Sequence, residues 1–267
     1  MKSILGIDIG GTGIKGAIVN VSKGKLLTDR HRIPTPQPAT PEAVAQTVKQ
    51  LVDHFAWEGP VGCGLPAAIQ QGVVRTAANI APEWIGCDAE ALFSSVTGLP
   101  FRVINDADAA GMAEMRFGVG KKASGVVMMV TLGTGIGSAL FAEGTLMPNT
   151  ELGHLEMKGI EVEDYASNAV RKNEALSWAE WADRLSEVFS LYHALFWPDL
   201  FIIGGGVSKK HEEFFPLIQS KVPILAAKKK NEAGIIGAAV FSYEYFKKDT
   251  EGVTQNFTDS PAAIAET

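Results

Sequence analysis

Two glycine turns each stand where one apolar, strand-like run ends and another begins. They are Asp8-Ile9-Gly10-Gly11-Thr12-Gly13-Ile14-Lys15 and Thr131-Leu132-Gly133-Thr134-Gly135-Ile136-Gly137. A turn with few side chains lets backbone N–H groups close on an anion such as phosphate. The second copy points to a duplicated phosphate clamp between two lobes. The plainer alternative is a hairpin tip that uses glycine for positive φ. That alternative leaves Asp8, Thr12 and the second copy unexplained. Gly11-Thr12-Gly13-Ile14-Lys15-Gly16 satisfies G-x-G-x-x-G, but a dinucleotide fold needs a helix after the glycines. Here Ile14 to Val19 is β-branched and strand-like, and no GxxxxGK[ST] follows either.

A second group of residues suits an acceptor rather than an anion. Asn105-Asp106-Ala107-Asp108 closes an apolar strand, where ligand sites of α/β proteins collect. A carboxylate there is a general base or a helix N-cap, and Asp108 is as eligible for the cap as Asp106. Glu151-Leu152-Gly153-His154, with Glu163 shortly after, forms a polar set able to hydrogen-bond a hydroxylated ligand. The spacing also admits a metal, although no cysteine cluster follows. Asn79 is either a turn residue or a further ligand contact. Gly204-Gly205-Gly206 ends a later apolar strand. Lys228-Lys229-Lys230 reads as a solvated face, or as a path for a polyanion if it converges on the glycine turns with Lys121-Lys122, Arg171-Lys172 and Lys209-Lys210.

Alternating elements must position these residues. Strands are expected over 3–9, 14–21, 26–33, 61–65, 101–104, 125–132, 138–142 and 200–203. Helices are expected over 41–56, 88–97, from 106–108 to 117, over 178–196 and over 234–247. Thr40 caps the first helix, Pro41 suits its first turn, and Val44, Val48, Leu51 and Val52 give it an apolar stripe. Strand, glycine turn, strand and then helix–strand units occur twice, an α/β alternation with an internal repeat. The chain then divides into a small lobe over 1–106, a large lobe over 107–233, a helix over 234–248 packing back on the small lobe, and a flexible tail over 249–267.

The 267 residues, 46% hydrophobic and 20% charged, can bury a globular core. A net charge of −6 argues against nucleic acid as a partner. Cys63 and Cys87 have no metal or redox spacing, so reduced thiols and a cytoplasmic protein are expected. The chain enters its first strand almost at once, so neither a signal peptide nor a DNA-binding domain ahead of it is expected. No apolar run is long enough to span a membrane.

DIGGTGIK, NDAD, LGTGIGSAL, ELGH and IIGGGVS, in this order, resemble the ROK sugar kinases. The resemblance covers roughly residues 3–246. RTAANIAPEWIG (75–86), ALSWAEWADRL (175–185) and PDLFIIGGGVSKK (198–210) resemble the polyphosphate-dependent glucokinases among them. The resemblance implies an actin/hexokinase-like (ribonuclease H-like) duplicated two-lobed α/β fold with mixed sheets, and phosphorylation of glucose at its 6-hydroxyl. Mannose is left open beside glucose, and the donor is polyphosphate, ATP or both. By the same resemblance Asp106 is the base, and Asn105, Asp106, Glu151, His154 and Glu163 hold the sugar, while Asn79 stays a candidate sugar contact from its own local context. Asp8, Gly10 to Gly13 and Lys15, then Thr131, Gly133, Thr134 and Gly135, then Gly204 to Gly206, face the phosphates. Mg²⁺ is implied, with Asp8 reaching it through water, and a homodimer is implied as well. Most ROK kinases follow the histidine with a cysteine-rich zinc loop. Leu155 to Asp164 has no cysteine, so no structural zinc is expected. A strictly ATP-dependent kinase and a sugar-sensing regulator are the competing readings.

Overall fold

The computed structural model describes residues 2–77 and 80–250. The first sheet opens with an antiparallel hairpin of β1 (Ser3–Gly10) and β2 (Gly13–Asn20), in which Asp8 stands opposite Lys15 and Gly10 opposite Gly13. The expected strand over 26–33 is two short strands, β3 (Lys25–Leu26) and β4 (His31–Ile33), both paired with β2. The chain leaves the sheet through α1 (Pro41–His54), capped by Thr40, whose hydroxyl accepts from the Ala43 N–H. It returns as β5 (Val61–Leu65), parallel to β1. A small hairpin, β6 (Ile69–Gln70) with β7 (Val73–Val74), and α2 (Ala89–Thr97) lead to β8 (Phe101–Asn105), parallel to β5. Val44, Val48 and Leu51 of α1 join Trp84, Phe93, Ile7 and Ile9 of β1 and Val61 of β5 in one buried core.

After α3 (Asp106–Phe117) the pattern recurs. β9 (Val126–Leu132) and β10 (Ile136–Ala142) form the second antiparallel hairpin, extended by β11 (Thr145–Met147). A small hairpin, β12 (Glu156–Met157) with β13 (Ile160–Glu161), precedes α4 (Val162–Ala166), α5 (Asn168–Asn173) and α6 (Trp178–Phe196). α6 begins in a capping box between Ser177 and Glu180 and buries Trp181, Leu185, Val188, Phe189 and Tyr192 against the sheet. β14 (Leu200–Gly204) runs parallel to β9, and β15 (Ile224–Ala226) runs parallel to β14 after α7 (His211–Phe214). Strand order is β3-β2-β1-β5-β8 in one sheet and β11-β10-β9-β14-β15 in the other. The two orders are the same in topology: an antiparallel triplet whose last strand is followed by two parallel ones. The sequence repeat is therefore a repeat of fold.

α8 (Ala233–Thr250) packs across β1 and β5 and against α3. The approach is close enough that a Cβ on Gly62 would lie 1.9 Å from the Ala238 carbonyl oxygen. Ser242 also donates to the Val61 carbonyl at 3.2 Å. Residues 251–267, most of the expected tail, lie outside the described residues. Among the described residues no helix is long and apolar enough to cross a membrane.

Candidate active site in the cleft

All three glycine runs open on one cavity of about 600 Å³. Asp8, Gly10, Gly11, Thr12 and Lys15 line it from the β1–β2 turn, and Thr131, Gly133, Thr134 and Gly135 from the β9–β10 turn. Gly205 and Gly206 line it after β14. Two expected residues fall outside. Gly13 is covered by the Arg32 guanidinium, and Gly204 is buried against the Met129 methyl.

The glycines answer the plainer hairpin reading. None of Gly10, Gly11, Gly13, Gly133, Gly135 and Gly137 has positive φ. The turns therefore do not need glycine for backbone freedom. Among the described residues, only Gly11, Gly133 and Gly206 combine an ordinary backbone with no atom within 4 Å of a would-be Cβ. One comes from each run, and all three line the cavity. Nothing inside the protein excludes a side chain at these positions. Such open glycines leave the backbone N–H groups accessible to a ligand in the cavity.

Charge is placed beside these turns. Lys15 Nζ lies 3.3 Å from Asp8 Oδ2, the cross-strand neighbour set by the hairpin register. Arg32 on β4 pairs with Lys15 and donates through Nη2 to the Thr12 carbonyl. Arg32 was not expected at the site. Its place depends on β4 doubling back onto β2, which a single sequence does not display.

The other wall is built from the end of β8. Asn105, not an aspartate, caps α3: its Oδ1 accepts from the N–H groups of Ala107 (2.8 Å) and Asp108 (3.0 Å). Its Nδ2 donates to the Ala67 carbonyl (3.1 Å) and to Glu151 Oε1 (2.9 Å). Asn105 thus anchors Glu151, and Asp106 is freed from capping to face the cavity. Burial pushes the Asp106 carboxyl up to about 7, and the charges of Asp8, Glu151 and Asp108 add to that while the Ala107 N–H opposes it. Asp108 has a different task. It is fully buried and accepts from the Asn149 N–H at 2.8 Å, and burial likewise raises it to about 7. Asn149 in turn pairs with both backbone groups of Ile69 at 2.8 Å, fixing the segment that leads to Glu151.

Glu151, His154 and Glu163 also line the cavity. Burial raises the Glu151 carboxyl, aided by Glu163 and opposed by His154. His154 Nδ1 lies 2.8 Å from Glu161 Oε2. A carboxylate only accepts, so Nδ1 carries the hydrogen, while Nε2 faces the cavity with Glu151 Oε2 at 4.0 Å. That bond, followed by the charges of Glu163, Glu161 and Glu151, raises the His154 imidazole while burial opposes it. Glu163 Oε2 accepts from the Ile136 N–H at 3.2 Å. His154, Glu161 and Glu163 bring potential ligand atoms within 4.8 Å of one another, and the hydrogen bonds just described join two of them to each other and the third to Ile136.

Residues 4–169 match the ROK family. The chain belongs to the ROK family. Over 238 residues it is 47% identical to polyphosphate glucokinase of Mycobacterium tuberculosis (strain CDC 1551 / Oshkosh), covering 89% of this chain and 90% of that protein. Its fold superposes on the inorganic polyphosphate/ATP-glucomannokinase of Arthrobacter sp. strain KM with a TM-score of 0.88 and 48% identity, covering 92% of this chain and 100% of the other. A ROK family glucokinase from Streptomyces griseus, solved with glucose and AMPPNP, has a TM-score of 0.75 at 26% identity, covering 91% and 99%. The expected actin/hexokinase-like α/β fold with mixed sheets is the fold of this ROK chain.

The expected basic run of this ROK protein does not act as one face. Lys228 is exposed and stands outside the cavity lining. Lys229 donates from Nζ to the Gly24 carbonyl at 3.0 Å and sits 5.6 Å from the Phe117 ring. Only Lys230 lines the cavity, with Asn231. Asn79 lies outside the described residues. Glu161 is the functional candidate that sequence reasoning missed on the acceptor side. It belongs to an ordinary acidic stretch, and only the β12–β13 hairpin turns it toward His154.

Proposed function

We propose that this ROK chain transfers the terminal phosphoryl group of inorganic polyphosphate to the 6-hydroxyl of glucose, with ATP as a second donor. The carrying observation is the set of three open glycines on one cavity with Asp106 at the end of β8. The glucose oxygen attacks the terminal phosphorus, and the bond from that phosphorus to its bridging oxygen breaks. The leaving group is a polyphosphate shorter by one unit. Asp106 accepts the hydroxyl proton, and a raised carboxyl near neutrality suits that task. Asn105 holds Glu151, and Glu151, His154 and Glu163 orient the sugar by hydrogen bonds. The glycine turns hold the donor with backbone N–H groups, and Lys15 adds a cation.

Magnesium fits the site. Asp8 and Asp106 set two hard oxygen donors on the cavity wall, and Asp8 would hold the ion through water. When bound, the ion offsets charge on the transferring group. The same reading includes mannose as a second acceptor and a cytoplasmic homodimer. The Arthrobacter relative's name supports mannose, and resemblance alone supports the homodimer. It also treats residues 1–106 and 107–233 as the lobes that close on the sugar and exclude water.

The test is a donor comparison. Glucose 6-phosphate formation is measured with nucleotide-free polyphosphate and then with ATP. Product with polyphosphate supports the reading, and product with ATP alone replaces it by a strictly ATP-dependent kinase.

A further inference from the structure

We propose that the donor chain leaves the cleft over Gly205–Gly206 onto a basic strip of Arg171, Lys172, Lys209 and Lys210, which binds phosphates beyond those held by the glycine turns. The proposal rests on the reading of this chain as a user of polyphosphate.

Both segments of the strip are fastened to the phosphate end of the cavity. The 3₁₀ turn Gly206–Lys210 starts at an open glycine of the cavity and ends in Lys209 and Lys210. At about 2 Å per residue in such a turn, these lysines lie roughly 6–8 Å along the chain from Gly206. On the other side, the Ala169 N–H donates to the Gly133 carbonyl at 3.1 Å. That bond seats α5 on the second glycine turn and carries Arg171 and Lys172 with it.

The two segments meet over one indole. The Arg171 guanidinium carbon lies 4.1 Å from the Trp178 ring centre and Lys210 Nζ 5.9 Å from it. Trp178 is itself stacked on Phe214 at 5.7 Å and 13°. The cations are therefore brought together on a packed platform. Arg171 Nε is held by Asn168 Oδ1 at 3.2 Å, which leaves its terminal nitrogens for an outside acceptor.

Among the described residues none of the four enters an ion pair, a state they share with Lys121, Lys122, Lys228 and Lys230. Glu174, close in sequence to Arg171, is taken by Arg184. Glu212 and Glu213 follow the strip directly on α7 and are exposed, and no ion pair joins them to it among the described residues. In a chain of net charge −6, Arg171 and Lys210 share one indole with Lys172 and Lys209 next to them in sequence, and these like charges repel one another. A phosphate chain supplies a compensating anion. ATP ends in a nucleoside after three phosphates, so it has no further phosphates to place on the strip.

The experiment uses the full chain and compares long-chain polyphosphate, tripolyphosphate and ATP as donors at low and moderate salt. In R171Q/K172Q/K209Q/K210Q the KM for the long chain should rise about tenfold or more, and its salt dependence should flatten. The kcat and the KM values for ATP, tripolyphosphate and glucose should stay within about twofold. K172Q/K209Q/K210Q keeps Arg171 on Trp178, so it retains the packed platform and should show most of the effect. K228Q should show none. An unchanged long-chain KM in both strip variants overturns the strip, as does an equal loss with all donors. A wild-type protein that makes product from ATP but from no polyphosphate overturns the donor reading, and the strip with it.

Discussion

Glu163 accepts a hydrogen bond from the Ile136 N–H at 3.2 Å, and this ties the acceptor wall to the residue that closes the second glycine turn. A sugar that contacts Glu163 therefore bears on the placement of the donor clamp. Replacing Glu163 by Gln keeps an oxygen for the Ile136 N–H but removes the charge, whereas Ala removes both. Glu163→Gln should raise the glucose KM and leave the donor KM near wild type. Glu163→Ala should raise both, the loss of a charged hydrogen bond corresponding to about 1.5–3 kcal/mol. Steady-state kinetics with each substrate varied in turn checks the split.

The open glycines predict a separation of stability from activity. Gly11→Ala, Gly133→Ala and Gly206→Ala each add a methyl where the protein has neither a neighbour within 4 Å nor a left-handed backbone. Each variant should melt at or slightly above the wild-type temperature, since a compatible Gly→Ala change stabilises by about 0.4–1 kcal/mol. Each should also raise the donor KM or lower kcat, because under the proposed function the methyl stands where phosphate would approach. Thermal melts paired with donor titrations read both effects.

The raised Asp106 carboxyl gives a pH dependence with a definite sign. Its folded value of about 7 lies above its ordinary value of 3.8, so it is protonated and unable to accept below about 7. kcat/KM should fall roughly tenfold per pH unit below that value and level off above it. The stability consequence runs the other way. The folded state holds this proton more tightly than the unfolded chain, so folding loses stability as pH rises from 3.8 through 7. Asp106→Asn should therefore melt above wild type at pH 8, and the gap should shrink toward pH 5.

Under the proposed function, Glu161 would act on the sugar only through His154, which it holds at Nδ1. Glu161→Ala removes the acceptor at Nδ1, and the imidazole can then turn or change tautomer. The glucose KM should rise roughly tenfold while the donor KM holds, and Glu161→Gln should recover most of the loss. The His154 ring proton, followed by NMR, should titrate at lower pH in Glu161→Ala, because the bond to Glu161 is the largest cause raising it, with Glu151 and Glu163 left in place.

The fold was legible where local chemistry decides it. Thr40 and Pro41 mark the start of α1, and the β-branched run after Gly13 excluded a helix there. The paired glycine turns and the sugar-side motifs were legible too, since each lies within a few residues of chain. What escaped depends on contacts distant in sequence. Asp106 and Asp108 were weighed as caps, but Asn105 has the side-chain reach to bond two N–H groups of α3 while binding Ala67 and Glu151 on its other face. Lys229 belongs to a basic run on paper, but its ammonium is drawn to Gly24, a partner 205 residues away in the chain. Arg32 reaches the first turn only through the pairing of β4 with β2.

Glucose phosphorylation by nucleotide-free polyphosphate, run side by side with wild-type and Asp106→Asn protein of matched fold, tests the central claim most directly. The account predicts glucose 6-phosphate from the wild type and a rate about 10²- to 10⁴-fold lower from the variant. No product from the wild type, or an undiminished rate from a folded Asp106→Asn protein, would contradict it.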